Sequence, residues 1–293
     1  MKRYLLFLFI TYFFSHTSAQ TISGKWTLTG PYLFPVNKTS QVNGMGRVCQ
    51  IVFHPSSPSK MYAASASGGL FISTDGSKTW KVTGTDQLPD MSCSSVCVDY
   101  TNDQVISLGS GDPNYYSNSY GIWKSTDGGA KWAQSNASIG NRLAMDILMN
   151  PSDNKMLIAA TNDGIWKSTD AAATWKVKKS GGDFRQMIFH PADSKIIYAV
   201  TATQFFRSTD LGETWTAITL PDVSSKGGRI GVSKANPDVV YVTFVGDYDS
   251  GKNTPVFKST DAGLTFKTTK AANKINLNGY TESQSGQGTY NYG

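Results

Sequence analysis

Apolar residues in this chain come in short runs of four to eight, rich in valine, isoleucine and aromatics, broken by Pro, Asp, Asn, Ser and Gly. One stretch reads R-V-C-Q-I-V-F-H-P (Arg47–Pro55), then a polar turn, then M-Y-A-A-S-A (Met61–Ala66), then G-G-L-F-I-S (Gly68–Ser73). The same grammar returns in R-L-A-M-D-I-L-M-N-P (Arg142–Pro151), M-L-I-A-A-T (Met156–Thr161) and D-G-I-W-K-S (Asp163–Ser168). It returns again in R-Q-M-I-F-H-P (Arg185–Pro191), I-I-Y-A-V-T (Ile196–Thr201) and Q-F-F-R-S (Gln204–Ser208). Runs of this length and composition, punctuated in this way, predict strands joined by tight turns. No stretch carries a sustained helical period, so the chain reads as all-β.

Each third run ends in nearly the same eight letters: Ser73–Trp80, Ser125–Trp132, Ser168–Trp175, Ser208–Trp215 and Ser259–Phe266. Their aspartates, Asp75, Asp127, Asp170, Asp210 and Asp261, are spaced 52, 43, 40 and 51 residues apart. That period, filled with four short strands, predicts propeller blades. Strands A to D run from the innermost outward, and the Ser-Thr-Asp motif falls in the C–D turn. There the aspartate can accept turn N–H groups, and a glycine two places on supports positive φ. Gly129, Gly212 and Gly263 suit that position; Ser77 and Ala172 suit it less. The closing aromatic is expected to pack between blades. All five aspartates therefore read as structural.

These motifs resemble the Asp-box (bacterial neuraminidase, BNR) repeats of sialidases, sortilin-type receptors, xyloglucan-active endoglucanases and photosystem II assembly factors. The longer pattern, G-R-x-x-x-I-x-x-x-P followed by G-G-x-x-x-S-T-D-G-G-x-x-W, most resembles large secreted BNR-repeat proteins of Bacteroidetes type. The resemblance covers roughly residues 44–270. It implies a β-propeller of four-stranded antiparallel blades and says little about activity. Five complete repeats are expected at about 44–90, 91–138, 139–180, 181–222 and 223–270, with partial blades at 22–43 and 271–293. Five repeats and two stubs do not obviously close a ring, and an open ring leaves sheet edges bare. The expectation is a fragment of a larger propeller of about seven blades, with an irregular six-bladed closure as the alternative.

The first 19 residues read as a secretory signal: Lys2 and Arg3, the apolar Tyr4–Phe14, and the small residues Thr17-Ser18-Ala19 before Gln20. The propeller then occupies 20–293, exported to the cell surface, periplasm or exterior, with no membrane span. Taking Lys2 and Arg3 from the 27 basic residues leaves 25 against 21 acidic ones, a formal charge of +4. That excess is mild and contains no basic run, which argues against nucleic acid as a partner. The three cysteines lack metal spacing, and only His54 and His190 remain after the signal, so a zinc site is not expected. Export permits a disulfide, and Cys49 with Cys93, near the starts of neighbouring inner strands, is the preferred pair, leaving Cys97 a buried apolar residue.

The B–C and D–A connections share the face opposite the Asp motifs. On it, Arg47, Arg142, Arg185 and Arg229 each stand at the start of an A strand; the second repeat has Ser94 and Ser95 there instead. Such an arc reads either as an anion site, because guanidinium forks bind carboxylate and phosphate in bidentate fashion, or as repeat-borne ties from loops to carbonyls. Two long B–C loops lie on the same face, Gly109–Gly121 and Val245–Pro255. They bring Asp112 with Tyr115, Tyr116 and Tyr120, and Asp247 with Tyr248, the aromatic-plus-carboxylate set of a sugar cleft or, equally, ordinary insertions held by turns. No cofactor is implied beyond a Ca²⁺ ion, for which Asp249 would be a third carboxylate.

The enzyme readings meet specific gaps. A sialidase resemblance implies an arginine triad, a tyrosine–glutamate pair and an F-R-I-P-type element, and that element is missing. Ile51–Leu70 is similar to the opening of the xyloglucanase-like family, whose B–C loop carries a catalytic aspartate; Ala66 stands there. Hydrolysis by a carboxyl pair needs both members, which leaves Asp112 and Asp247 as the candidates. The sequence thus favours a non-catalytic propeller binding a polysaccharide, a glycoprotein or a protein partner through this face, with a glycoside hydrolase as the alternative.

Overall fold

The structure is a computed structural model, and it describes residues 46–114, 119–135, 138–220, 225–246 and 256–269. The signal-like segment 1–19, both partial blades, and Tyr115, Tyr116, Asp247, Tyr248 and Asp249 lie outside these.

Five four-stranded sheets follow one another, each an antiparallel meander in chain order. Blade 1 consists of β1 (Val48–His54), β2 (Ser57–Ser65), β3 (Gly69–Ser73) and β4 (Lys81–Val82). Blade 2 consists of β5 (Cys93–Val98), β6 (Ile106–Ser110), β7 (Ile122–Ser125) and β8 (Ala133–Gln134). Blade 3 is β9 (Ala144–Asn150), β10 (Asp153–Thr161), β11 (Gly164–Ser168) and β12 (Lys176–Ser180). Blade 4 is β13 (Gln186–Phe189), β14 (Ile197–Val200), β15 (Phe205–Ser208) and β16 (Thr216–Ile218). Blade 5 is β17 (Ser225–Val232), β18 (Val240–Gly246), β19 (Val256–Ser259) and β20 (Lys267–Thr268). A single 3₁₀ turn at Gly84–Gln87 is the one helical element among the described residues.

Most of the core lies between the blades, with one small cluster of Ala63 and Phe71 on blade 1 alone. Ile122 and Cys97 of blade 2 pack with Ile147, Leu157 and Trp175 of blade 3. Ile158 and Ile165 of blade 3 meet Met187, Ala199 and Phe206 of blade 4. Tyr198 and Phe205 of blade 4 meet Val242, Phe244 and Phe266 of blade 5. Blades 2, 3 and 4, flanked on both sides, bury both faces through their neighbours.

The Asp motifs form the C–D turns, as expected, and their bonding repeats from blade to blade. Ser73 donates its hydroxyl to Asp75 at 2.9 Å, and Asp75 accepts the Thr79 N–H at 2.9 Å and the Thr79 hydroxyl at 2.6 Å. Those bonds from Thr79 hold Asp75 down at about 2; Thr174 does the same for Asp170, and Ser259 with Thr265 for Asp261. Each turn also places two successive residues at positive φ. Glycine fills both places in blade 2, but Ala171 (56°) and Ala172 (67°) fill them in blade 3. An alanine in this region is strained by about 1–2 kcal/mol. Ala171 is half-exposed and loses little packing on truncation, so Ala171→Gly is expected to stabilise the protein by about 0.5–1 kcal/mol after the entropy cost of glycine. A urea midpoint that falls instead of rising would show that the turn is unstrained.

Candidate functional site

The inner strands bring five side chains to one level. Pairing of each A strand with its B strand sets Gln50 opposite Ala64, Ser95 opposite Gly109, Asp146 opposite Ala160, Gln186 opposite Val200 and Arg229 opposite Thr243. Measured from the serine of each Asp motif, these positions are equivalent. Three of them receive an amide from the next blade. Gln50 Oε1 accepts the Val96 N–H at 2.7 Å, Asp146 Oδ2 the Met187 N–H at 2.9 Å, and Gln186 Oε1 the Ile230 N–H at 2.8 Å. Ser95 instead donates its hydroxyl to the Ala144 carbonyl at 2.7 Å. Blades 2 and 3 come so close here that a Cβ on Gly109 would lie 2.6 Å from that same carbonyl, so only glycine fits.

Asp146 is the acidic member of this ring among the described residues. It is 5% exposed. Its second oxygen accepts the Gln50 amide at 3.0 Å, which ties blade 1 to blade 3 past the short Ser95. Burial pushes its carboxyl up to about 6, against the pull of the Met187 N–H, the Gln50 amide and the Arg229 charge. Sequence reading missed this residue. Its signal was available: Gln50, Asp146 and Gln186 each stand five places before the proline that ends the run.

The four arginines are not equivalent, which corrects the expected arc. Arg229 belongs to the ring level, while Arg185 stands directly before it, beside Gln186. Register shifts beside β1 and β9 displace Arg47 and Arg142 further. Arg142 turns away from the channel. It donates to Asp163 at 3.0 Å and 3.1 Å and its guanidinium lies 4.6 Å from the centre of the Trp166 ring. Arg185 pairs with Asp183 at 2.6 Å and donates to the Pro113 carbonyl at 3.0 Å. Burial and then the Arg229 charge bring Arg185 down to about 10. Arg47 forms an ion pair with Asp112. Asp112 also accepts the Asn114 N–H at 2.8 Å. The root of the blade-2 loop thus bridges blade 1 and blade 4.

Arg185 and Arg229, with Gln50, Asp146 and Gln186, line a central cavity of about 530 Å³. Deeper in the channel, Val52, Val96, Val98, Ile147 and Met149 surround an apolar cavity of about 450 Å³. On the outer side of Arg185, a third cavity of about 420 Å³ lies between Lys179–Asp183 of the blade 3–4 connection and Thr201–Gln204 of the blade-4 B–C turn.

The preferred disulfide is not formed: Cys49, Cys93 and Cys97 are all free. Cys49 occupies a bulge and lines the channel cavity, whereas buried Cys93 gives its S–H to the Met91 carbonyl at 3.3 Å. Burial raises all three thiols, so none is a thiolate near neutral pH. Among the described residues, no three His, Cys, Asp or Glu side chains converge to hold a metal ion, and no helix is long and apolar enough to cross a membrane.

Among solved structures the chain is similar to an ancestral GH74 enzyme, with a TM-score of 0.66 and 21% identity over 79% of this chain and 32% of that one. The chain has a β-propeller fold of the BNR-like, Asp-box type. A profile of the sortilin type (Sortilin, neurotensin receptor 3) matches residues 163–287 of this propeller. It is also similar to an auxiliary nutrient binding protein from Bacteroides thetaiotaomicron, with a TM-score of 0.52 and 12% identity over 77% of the propeller chain and 57% of the other. The GH74 xyloglucanase from Xanthomonas campestris gives a TM-score of 0.50 and 16% identity over 78% and 46%. The propeller chain therefore spans about a third to just over half the length of these structures, and at these identities the likeness shows the fold alone. No curated protein matches its sequence.

Proposed function

We propose that the chain is an exported, non-catalytic propeller that binds a glycan through the face formed by its A-strand starts and B–C loops. The observation that carries this reading is the cavity of about 530 Å³ at the channel mouth, where two guanidinium groups, two amides and a carboxylate meet apolar side chains such as Val48, Met145 and Ile230. A cavity of this size with a few convergent polar groups is the usual form of a small-ligand site. Two features argue against hydrolysis. Asp112, the catalytic candidate within the described residues, is neutralised by Arg47 and capped by a backbone N–H, and Ala66 stands where the xyloglucanase-like carboxylate is expected. Asp146 is committed to holding blades together. Export rests on the signal-like residues 1–19. The glycan in preference to a protein partner rests on the chemistry of the wall, which carries both donor and acceptor groups suited to hydroxyls.

Affinity electrophoresis against a polysaccharide panel that includes xyloglucan, paired with a reducing-end assay, tests this reading. Retardation without release of reducing ends is expected. Release of reducing ends that disappears in Asp112→Asn would establish the hydrolase instead.

A further inference from the structure

The ion pair between Asp183 and Arg185 stands between two cavities on the same face. Arg185 walls the central one, and Asp183 walls the one of about 420 Å³ over the junction of blades 3 and 4. The outer cavity is built from short polar groups: Thr203 and Gln204 on the blade-4 turn, Lys179, and the glycine pair Gly181–Gly182. Both glycines hold positive φ, 68° and 94°, and a Cβ on Gly181 would meet nothing within 4 Å. The Gly181 backbone is bare toward the cavity, while Gly182 sits against the Phe184 ring.

The cations on this wall already have acceptors. Arg185 has Asp183 at 2.6 Å, and Arg229 donates to the Gly228 carbonyl at 3.1 Å. Lys179 donates to the Ser180 carbonyl at 3.1 Å, with its ammonium 5.7 Å from the centre of the Phe206 ring. An anionic ligand would have to compete with a carboxylate at Arg185 and with backbone carbonyls at Arg229 and Lys179. A hydroxyl both donates and accepts, so it can lie between paired charges and leave them paired. We infer that the two cavities are subsites of one groove that takes an uncharged linear glycan, running from the channel mouth outward over the junction of blades 3 and 4. This rests on the glycan reading above and replaces the anion reading of the arginines.

The test is a glycan array holding neutral, uronate-containing and sulfated chains, followed by titration of the full chain with the length series of the best neutral ligand. A neutral chain is expected to lead the array, and long oligomers are expected to bind about tenfold or more tightly than the disaccharide, which fills one subsite. Thr203→Trp, placing a large ring from an exposed position into the outer cavity, should abolish that gain and leave disaccharide binding unchanged. Thr203→Ala should keep it. Gln204→Trp is the second blocking variant, used if thermal melting shows Thr203→Trp to be unfolded. Preference for acidic chains, or a length gain that survives blocking, overturns the inference. Glycan binding with no length gain overturns the groove and leaves the glycan reading standing, and binding to no glycan at all overturns both.

Discussion

Trp175→Ala is expected to destabilise the protein by about 3–5 kcal/mol, the cost of emptying a large buried aromatic site. Trp175 is 1% exposed and packs among Cys97 and Ile122 of the preceding blade. Its indole N–H donates to the Ser135 carbonyl of that blade at 3.0 Å, so truncation also strands a buried acceptor. Trp215, the same residue of the next motif, gives the matched control. It is only half-buried, and its N–H turns back to Gly212 within its own turn at 3.1 Å. Trp215→Ala should therefore cost clearly less, with the two compared by urea denaturation. Equal losses would mean that the closing aromatics brace their own turns and do not join blades.

The second expectation concerns pH. Asp146 titrates at about 6 in the fold, against about 3.9 in an unfolded chain, so the folded state holds its proton over the interval between them. A raised carboxyl contributes stability that is fully present below pH 4 and is lost as pH rises through 6. Two units correspond to about 3 kcal/mol. The Asp-motif carboxylates work in the opposite direction. Asp75, Asp170 and Asp261, held at about 2, contribute stability above pH 4 that disappears as pH falls toward 2. Stability should therefore peak near pH 4, then decline toward pH 6 and level off. Asp146→Asn should remove its share of the decline between pH 4 and 6, leaving the share of Asp183, which burial also raises to about 6, and the acid limb below pH 4. An unchanged slope in that variant would assign the decline to other groups.

Much of this arrangement was legible in the sequence. The five Asp motifs fixed the turns, the period fixed the blades, and the alternation of faces put the motifs away from the channel mouth. Arg229 shows where such reading stops. The sequence pattern puts it at a strand start, like Arg47, Arg142 and Arg185, yet it lies within β17 at a level set by pairing with Thr243, and spacing along one strand does not reveal pairing across two. The bulge at Cys49 adds one residue to β1 and moves Arg47 relative to Arg185, and a single unpaired residue leaves no mark in composition or period. Asp146 was hidden for a different reason. An acid inside a run of apolar residues looks like an exception, and only the amides of Gln50 and Gln186 at the same level show that a side-chain acceptor is required there.

Three of the tethers at that level point one way, while Ser95 donates in the other sense. Gln50, Asp146 and Gln186 each belong to the blade that comes first in the chain, and each receives the amide of the blade that follows. At these three junctions the earlier blade carries the acceptor and the following inner strand brings the donor, so each junction is completed only by the blade on its C-terminal side.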